Sequence, residues 1–389
     1  MSRRRKKRVK SIVKFTVLLF TPIISVSVFK SIPKFLNVLN KADSIMLKNE
    51  NAGNLKQGKS EELSYNLHYN EDYEDVFNED FDLSVGFGFE EETADEKTNK
   101  SPYETVSENP GEKPYPTEWS EGGSIVRNTY GEFTGNNYFN LEKAGQVNNK
   151  TSVSISELQN ESKLLPEFKI SLNLSEPQVL IYHTHTTESF EPFVRDFYDA
   201  SFNYRTTDET KNMVMVGNEI QKQLEDAGIG VIHDTTIHDY PSYNGAYDRS
   251  AVTIQNALDK YPSIKVILDI HRDAICSEGI AYQPFVEIDG KEAAQIMIIS
   301  GCDDGTLNMP NYMQNFRLAS LFQQQIETDY PGLTRPILFD YRKYNQNMST
   351  GALLFEMGSH GNTLEQVQYS GELVGKSIAR ALISIKEQL

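Results

Sequence analysis

Three apolar runs in the second half of the sequence stop at residues that can hold a metal or move a proton. VLIY (179–182) runs into His183, Thr184, His185, Thr186, Thr187 and Glu188, VILDI (266–270) into His271, Arg272 and Asp273, and ALLF (352–355) into Glu356. Two imidazoles and a carboxylate make a zinc-binding set, and three protein ligands leave a fourth position open, as in catalytic rather than structural sites. His185 and Glu188 are three residues apart, so one tight turn can hold both, and His271 completes the set from a neighbouring strand. Water at the open position has its pKa lowered towards ~7 and becomes a nucleophile at neutral pH. Glu356 is then the group expected to take its proton and pass it to a leaving amine. Arg272 is expected to help zinc stabilise an oxyanion. His183 and Asp273 are expected just behind the ligands, His183 orienting one of them and Asp273 fixing the tautomer of His271.

Singly, each of these residues has a bland alternative, since strand-end histidines are often satisfied core groups and strand-end acids are often helix caps. Their joint occurrence at the ends of three apolar runs favours a site. His233, His238 and Asp239, in HDTTIHDYPSYNGAYDRS, read as structural or substrate-lining, because no carboxylate at ligand spacing follows them on a strand. His360 falls in a loop after Glu356, and His68 falls in an acidic stretch far upstream. The two cysteines, Cys276 and Cys302, make neither a disulfide framework nor a thiolate metal cluster, and read as ordinary thiols.

The elements around the site follow from hydrophobic period. Continuous apolar runs such as VLIY and VILDI read as strands buried on both faces of a parallel sheet. Met213, Val216, Ile220 and Leu224 recur at helical spacing, with Gly228 as the stop. GIGVIHD, AAQIMIISG and GALLFEMGS add strands. SYNGAYDRSAVTIQNALDKY, RLASLFQQQIETDY and LEQVQYSGELVGKSIARALISIKEQL add helices. Strands alternating with helices predict an α/β domain over 166–389, with a mainly parallel twisted sheet and flanking helices. In such sheets, sites gather at the carboxyl ends of the strands, where these polar residues lie.

The first half is different. MSRRRKKRVK (1–10) is basic, and SIVKFTVLLFTPIISVSVF is apolar from Phe15 to Phe29 with Lys14 near its basic end. Lys14 can snorkel, which stretches the usable span towards the ~20 residues that a bilayer core requires. By the positive-inside rule residues 1–10 form a cytoplasmic tail, 11–31 a transmembrane anchor, and everything beyond lies outside the membrane. A cleaved signal peptide is the alternative, since Ser25, Val26 and Ser27 are small, but no Ala-x-Ala pattern follows. Residues 32–165 are acidic and broken by proline and glycine, and read as a disordered, self-repelling spacer. Trp119, Tyr69 and Phe77 offer a short partner-binding motif as an alternative use of that stretch, and Ser124 to Asn148, with Tyr130, Phe133, Tyr138 and Phe139, is expected to add a strand or two beside the domain. The formal net charge of −17 and the lack of a basic groove argue against nucleic acid as a partner.

YHTHTTESF, NMVMVGNEI, HDYPSYNGAYDRS, DIHRDA and LLFEMGSHGNTLEQ together resemble the stage II sporulation protein P family, over about residues 175 to 389. That family is similar in fold to the zinc-dependent N-acetylmuramoyl-L-alanine amidases. The resemblance implies a zinc-dependent peptidoglycan amidase that is also an endopeptidase, acting in engulfment during endospore formation. It places His185 and His271 at the zinc histidines and Glu356 at the catalytic glutamate. For the third ligand many such amidases use a glutamate near the start of the first helix, where Glu209 sits. Glu188, which makes a His-x-x-Glu with His185, is preferred here. The resemblance also implies stage II sporulation proteins D and M as partners. A membrane-tethered wall-binding scaffold without catalysis, and another exported zinc carboxypeptidase or deacetylase, are the rival readings.

Overall fold

A computed structural model describes residues 121–199, 204–277 and 279–386. The expected basic tail, membrane anchor and spacer as far as residue 120 lie outside the described residues. Among the described residues, no helix is long and apolar enough to cross a membrane.

In chain order the elements are β1 (Glu121–Asn128), β2 (Tyr138–Asn140), β3 (Gln146–Asn149), α1 (Ile155–Glu161), β4 (Val179–Tyr182), β5 (Phe197–Asp199), α2 (Met213–Asp226), β6 (Val231–His233) and α3 (Ala246–Lys260). They continue with β7 (Val266–Asp273), β8 (Cys276–Ser277), β9 (Ile280–Ile288), β10 (Lys291–Ala294), β11 (Met297–Gly301), α4 (Tyr312–Asp329), β12 (Ile337–Asp340), β13 (Ala352–Ser359) and α5 (Leu364–Ser384). The main sheet runs β2-β3-β12-β11-β13-β7-β4-β6. Its neighbours are parallel except for the β2/β3 and β11/β13 pairs. The fold is thus mixed α/β, and the expected parallel sheet is its centre.

Side chains of β4 alternate between two cores. Val179 and Ile181 join the larger cluster with α2, α4 and α5, while Leu180 and Tyr182 face Ile254 of α3. Coverage on both faces is why VLIY carries no polar residue. Full burial of each such side chain contributes on the order of 1.5–3 kcal/mol. Helix α5 starts with a capping box, in which Thr363 and Gln366 each bind the other's backbone N–H. It lies so close to α2 that a Cβ on Gly375 would sit 3.0 Å from the Ile220 Cα.

Residues 121–165 correct the expected domain boundary. They were assigned to the spacer, with a strand or two expected over Ser124 to Asn148; β2 and β3 extend the main sheet, and β1 is an inner strand of a second one. That second sheet runs β10-β9-β1-β5, with β8 also on β9. Here β1 pairs in parallel with β9 and antiparallel with β5. Ile125, Phe139, Leu141, Val147 and Leu158 are buried one at a time between exposed or half-buried neighbours. So sparse an apolar pattern resembles a spacer until its partner strands are known.

Candidate metal centre

The turn after β4 is built by its threonines. Thr184 donates to Asp269 through both its N–H (2.9 Å) and its hydroxyl (2.7 Å). The Thr186 hydroxyl bonds the His183 and Thr236 carbonyls, and Thr187 bonds Asp239 through its N–H and its hydroxyl. The Glu188 N–H then closes back on the His185 carbonyl at 3.1 Å. With the alternate residues pinned, His185 and Glu188 are held together, His185 Nδ1 lying 3.5 Å from Glu188 Oε1.

His271 enters from β7, with Nδ1 3.7 Å from Glu188 Oε2. One donor atom from each of His185, Glu188 and His271 lies within 4.8 Å of the others. This set fits zinc in kind and number, and its ligands come from two strand ends fixed by the sheet. Glu209 is exposed and outside this cluster. On the neighbouring strand Glu356 is in register with His271. Its Oε2 is buried and makes no hydrogen bond among the described residues.

The electrostatics follow from burial and from these neighbours. Burial opposes charge on His271, but Asp269, Glu188 and Glu356 outweigh it and hold the imidazole up to about 9. Burial also opposes charge on Glu188, but His185 and the Arg272 charge keep its carboxyl well below the usual range. Burial, reinforced by Asp273, lifts Glu356 to about 8. Burial lowers His185 against the pull of Glu188.

Three expectations about supporting residues change. Asp273 does not hold His271, because it lies at the end of β7, where the register with β13 shifts, and pairs with Arg335 at 2.8 Å. The carboxylate against His271 is Asp269, with Oδ1 2.8 Å from Nε2. Arg272 does not present its guanidinium to the cluster. It follows His271 on a strand, so its side chain leaves by the other face, where it donates to the carbonyls of Ser189, Tyr204 and Asp273. Its backbone N–H donates to Glu188 Oε2 at 3.1 Å, which is its direct link to the site.

His183 does not orient a ligand through its ring. Its Nδ1 donates to the Ile270 carbonyl at 2.9 Å, so Nε2 accepts from His233 Nε2 at 2.8 Å. Burial pushes His183 down to about 3 and His233 to about 4. His238 braces the same turn through the His183 carbonyl and Thr253. Cys276 is an exposed free thiol and Cys302 a buried one.

The expected set also omitted a wall of rings and a cation. Tyr243 stacks on His185 at 4.6 Å, and Tyr247 lies parallel to His271 at 6.4 Å. Arg205 sits over Tyr243 at 4.8 Å, binds Asp239 at 2.7 Å and reaches within 3.6 Å of Glu188 Oε1. Both tyrosines belong to HDYPSYNGAYDRS, whose reading as substrate-lining is the signal that points to them. Arg205 has no comparable signal, because a loop of its own carries it in.

Comparison with known proteins agrees with the motif resemblance. A family model described as stage II sporulation protein P (SpoIIP) matches residues 88–379. The chain is 30% identical to stage II sporulation protein P of Bacillus subtilis (strain 168) over 201 residues, 49% of this chain and 47% of that protein. It therefore spans about half the length of that relative. Solved structures similar to it include the N-acetylmuramoyl-L-alanine amidase AmiC2 of Nostoc punctiforme (11% identity, TM-score 0.32, covering 53% of this chain and 96% of that one). Another is the CwlD amidase from Clostridioides difficile in complex with the GerS lipoprotein (11%, TM-score 0.30, 53% and 94%).

Proposed function

The chain belongs to the stage II sporulation protein P family, and from that premise we propose that it is a membrane-anchored, zinc-dependent peptidoglycan hydrolase of endospore formation. The reaction is hydrolysis of the lactoyl-alanine amide, with cleavage of peptide cross-links as a second activity. The observation that carries this reading is the convergence of His185, Glu188 and His271 on one point, with Glu356 in register beside them.

His185, Glu188 and His271 would hold the zinc, which when bound supplies Lewis acidity and a nucleophile at neutral pH. The chain's own groups do the rest. Burial raises the proton affinity of Glu356, and a dication held beside it would offset that, leaving a carboxylate that takes a proton from the attacking water and returns it to the leaving amine. Asp269 holds His271 from behind. Tyr243 and Tyr247 fix the two imidazoles by stacking and shield them from water. Arg205, within 3.6 Å of Glu188 Oε1, adds its positive charge to that of Arg272 on the Glu188 side of the site. The anchor at 11–31 would place this domain outside the cytoplasmic membrane, facing the wall, with stage II sporulation proteins D and M as partners.

The test is zinc content and muropeptide release by the full chain beside its His185→Ala variant. The reading predicts about one zinc and peptides freed from glycan for the wild type, and neither for the variant. A wild-type chain that takes up no zinc and leaves the wall intact would replace it with a wall-binding scaffold. Release of single amino acids would replace it with a carboxypeptidase.

A further inference from the structure

A cavity of about 330 Å³, lined among others by Tyr130, Glu132, Asn140, Lys143, Gln146 and Glu327, lies outside the metal centre. Strand register fixes where it stands. Met297 of β11 pairs with Glu356, and Glu356 pairs with His271. Ile299 pairs with Leu338 and Ile337 with Val147, both in parallel. Ile296 bridges Thr334 while Ile299 pairs with Leu338, so the register slips by one residue and Met297 stands opposite Arg335 and Pro336. Pro336 and Gln146, which both line the cavity and directly precede Ile337 and Val147, thus lie along the same sheet edge as Met297, Glu356 and His271. From β3 to β7 that edge spans four strand spacings, about 19 Å at about 4.8 Å each. Cavity and metal centre therefore share one edge of the sheet, close enough for a polymer to touch both and too far apart for a single small residue.

Between the two sites stands the Asp273–Arg335 pair. The two are 2.8 Å apart and tie the end of β7 to the residue before Pro336, which lines the cavity with Tyr130. Its walls are braced. Gln295 accepts from the Tyr130 N–H at 2.7 Å and donates to the carbonyls of Tyr130 and Gly332 at 2.8 Å. Gln146 does the same for Phe133, and donates to Asn140 as well. Behind Tyr130, Phe133 packs at 5.9 Å and itself stacks on Tyr138 at 5.4 Å. These contacts hold the shape in advance of any ligand, which lowers the cost of binding one.

The lining chooses the ligand. An aromatic ring beside amides and carboxylates suits a neutral polyhydroxylated ring, whose C–H face covers the tyrosine while its hydroxyls pair with the polar groups. Glu132 and Glu327 against the one cation, Lys143, disfavour an anion and so a wall peptide with its carboxylates. We propose that this cavity is a glycan subsite, which grips the sugar chain of the wall polymer while a linkage further along is presented at the metal centre. The proposal rests on the peptidoglycan reading above.

The experiment uses the full chain and a peptide-free N-acetylglucosamine oligosaccharide, read by hydrogen exchange and calorimetry. The oligosaccharide should slow exchange over residues 130–146. Tyr130→Ala and the exposed Glu132→Ala should each weaken its binding tenfold or more while zinc content stays unchanged, and His185→Ala should bind it as the wild type does. Absence of binding, or binding that both cavity variants leave intact, overturns the proposal, as does protection of 130–146 by a free stem peptide in place of the sugar. Failure of the hydrolase reading looks different: the oligosaccharide still protects 130–146 in a chain that holds no zinc and releases no muropeptide.

Discussion

The Nε2 of His271 lies 2.8 Å from Oδ1 of Asp269, two residues earlier on the same strand and on the same face. This contact leaves Nδ1 as the nitrogen turned towards Glu188. A carboxylate behind a ligating imidazole fixes its orientation and raises its basicity, and loss of such a partner typically costs ~10–100-fold in metal affinity. Asp269→Asn keeps the size of the side chain and an acceptor for Thr184. Its zinc affinity, measured by competition with a chelator, should fall by that factor. Unchanged affinity would show that Asp269 serves only the turn after β4.

Glu356 stands in register with His271 but outside the donor set, with an oxygen that no neighbour occupies. Glu356→Gln removes the proton carrier and keeps the shape. The variant should bind zinc as the wild type does and release muropeptides ~10²–10⁴-fold more slowly, the usual worth of one positioned general base. Full turnover with zinc in place would remove Glu356 from the chemistry.

Metal binding should release a proton. Asp269, Glu188 and Glu356 outweigh burial and hold His271 up to about 9, so it is protonated at neutral pH before any metal arrives. Glu188 is held well below its usual range and His185 is lowered, so neither brings a proton of its own. A dication can bind His271 only when that proton leaves, so affinity should rise by up to about tenfold per pH unit below pH ~9. Calorimetry at pH 7 in buffers of different ionisation heats should count at least one proton per zinc, the one from His271, and a second where the dication also discharges Glu356, held at about 8 without metal. A count of zero would mean that His271 enters the site already neutral.

How much of this was legible in the sequence depends on whether a residue announces itself locally. His185, Glu188, His271 and Glu356 do, because each closes an apolar run and so marks a strand end. Asp269 does so as well, as the one charge inside VILDI, but an apolar strand was the stronger pattern. Arg272 was misread by adjacency: next to His271 in sequence means opposite in space on a strand. A strand or two was expected over Ser124 to Asn148, where β1 to β3 lie, but their place in the two sheets was not legible, because the burial of Ile125, Phe139 and Val147 depends on partners far away in the chain. Arg205 stayed hidden because its place beside Glu188 is set by tertiary contacts alone.

The paired imidazoles behind the turn set the acid limit of the fold. Burial pushes His183 to about 3 and His233 to about 4, and holds His360 at about 3. Each is below the unfolded value of about 6.5, so between those limits the unfolded chain binds the protons and the folded one does not. The stability that these three histidines contribute is therefore fully present above about pH 6.5 and drains away as pH falls towards 4, by about 1.4 kcal/mol per unit for the buried His183 alone. The pair has no room to relax, since a Cβ on Gly217 would lie 2.5 Å from His233 Nε2 and 2.9 Å from His183 Nε2. Denaturant midpoints measured between pH 7 and 4.5 should fall steeply for the wild type and less steeply for His183→Gln, which cannot take up the proton. Equal slopes would place the acid-sensitive group elsewhere.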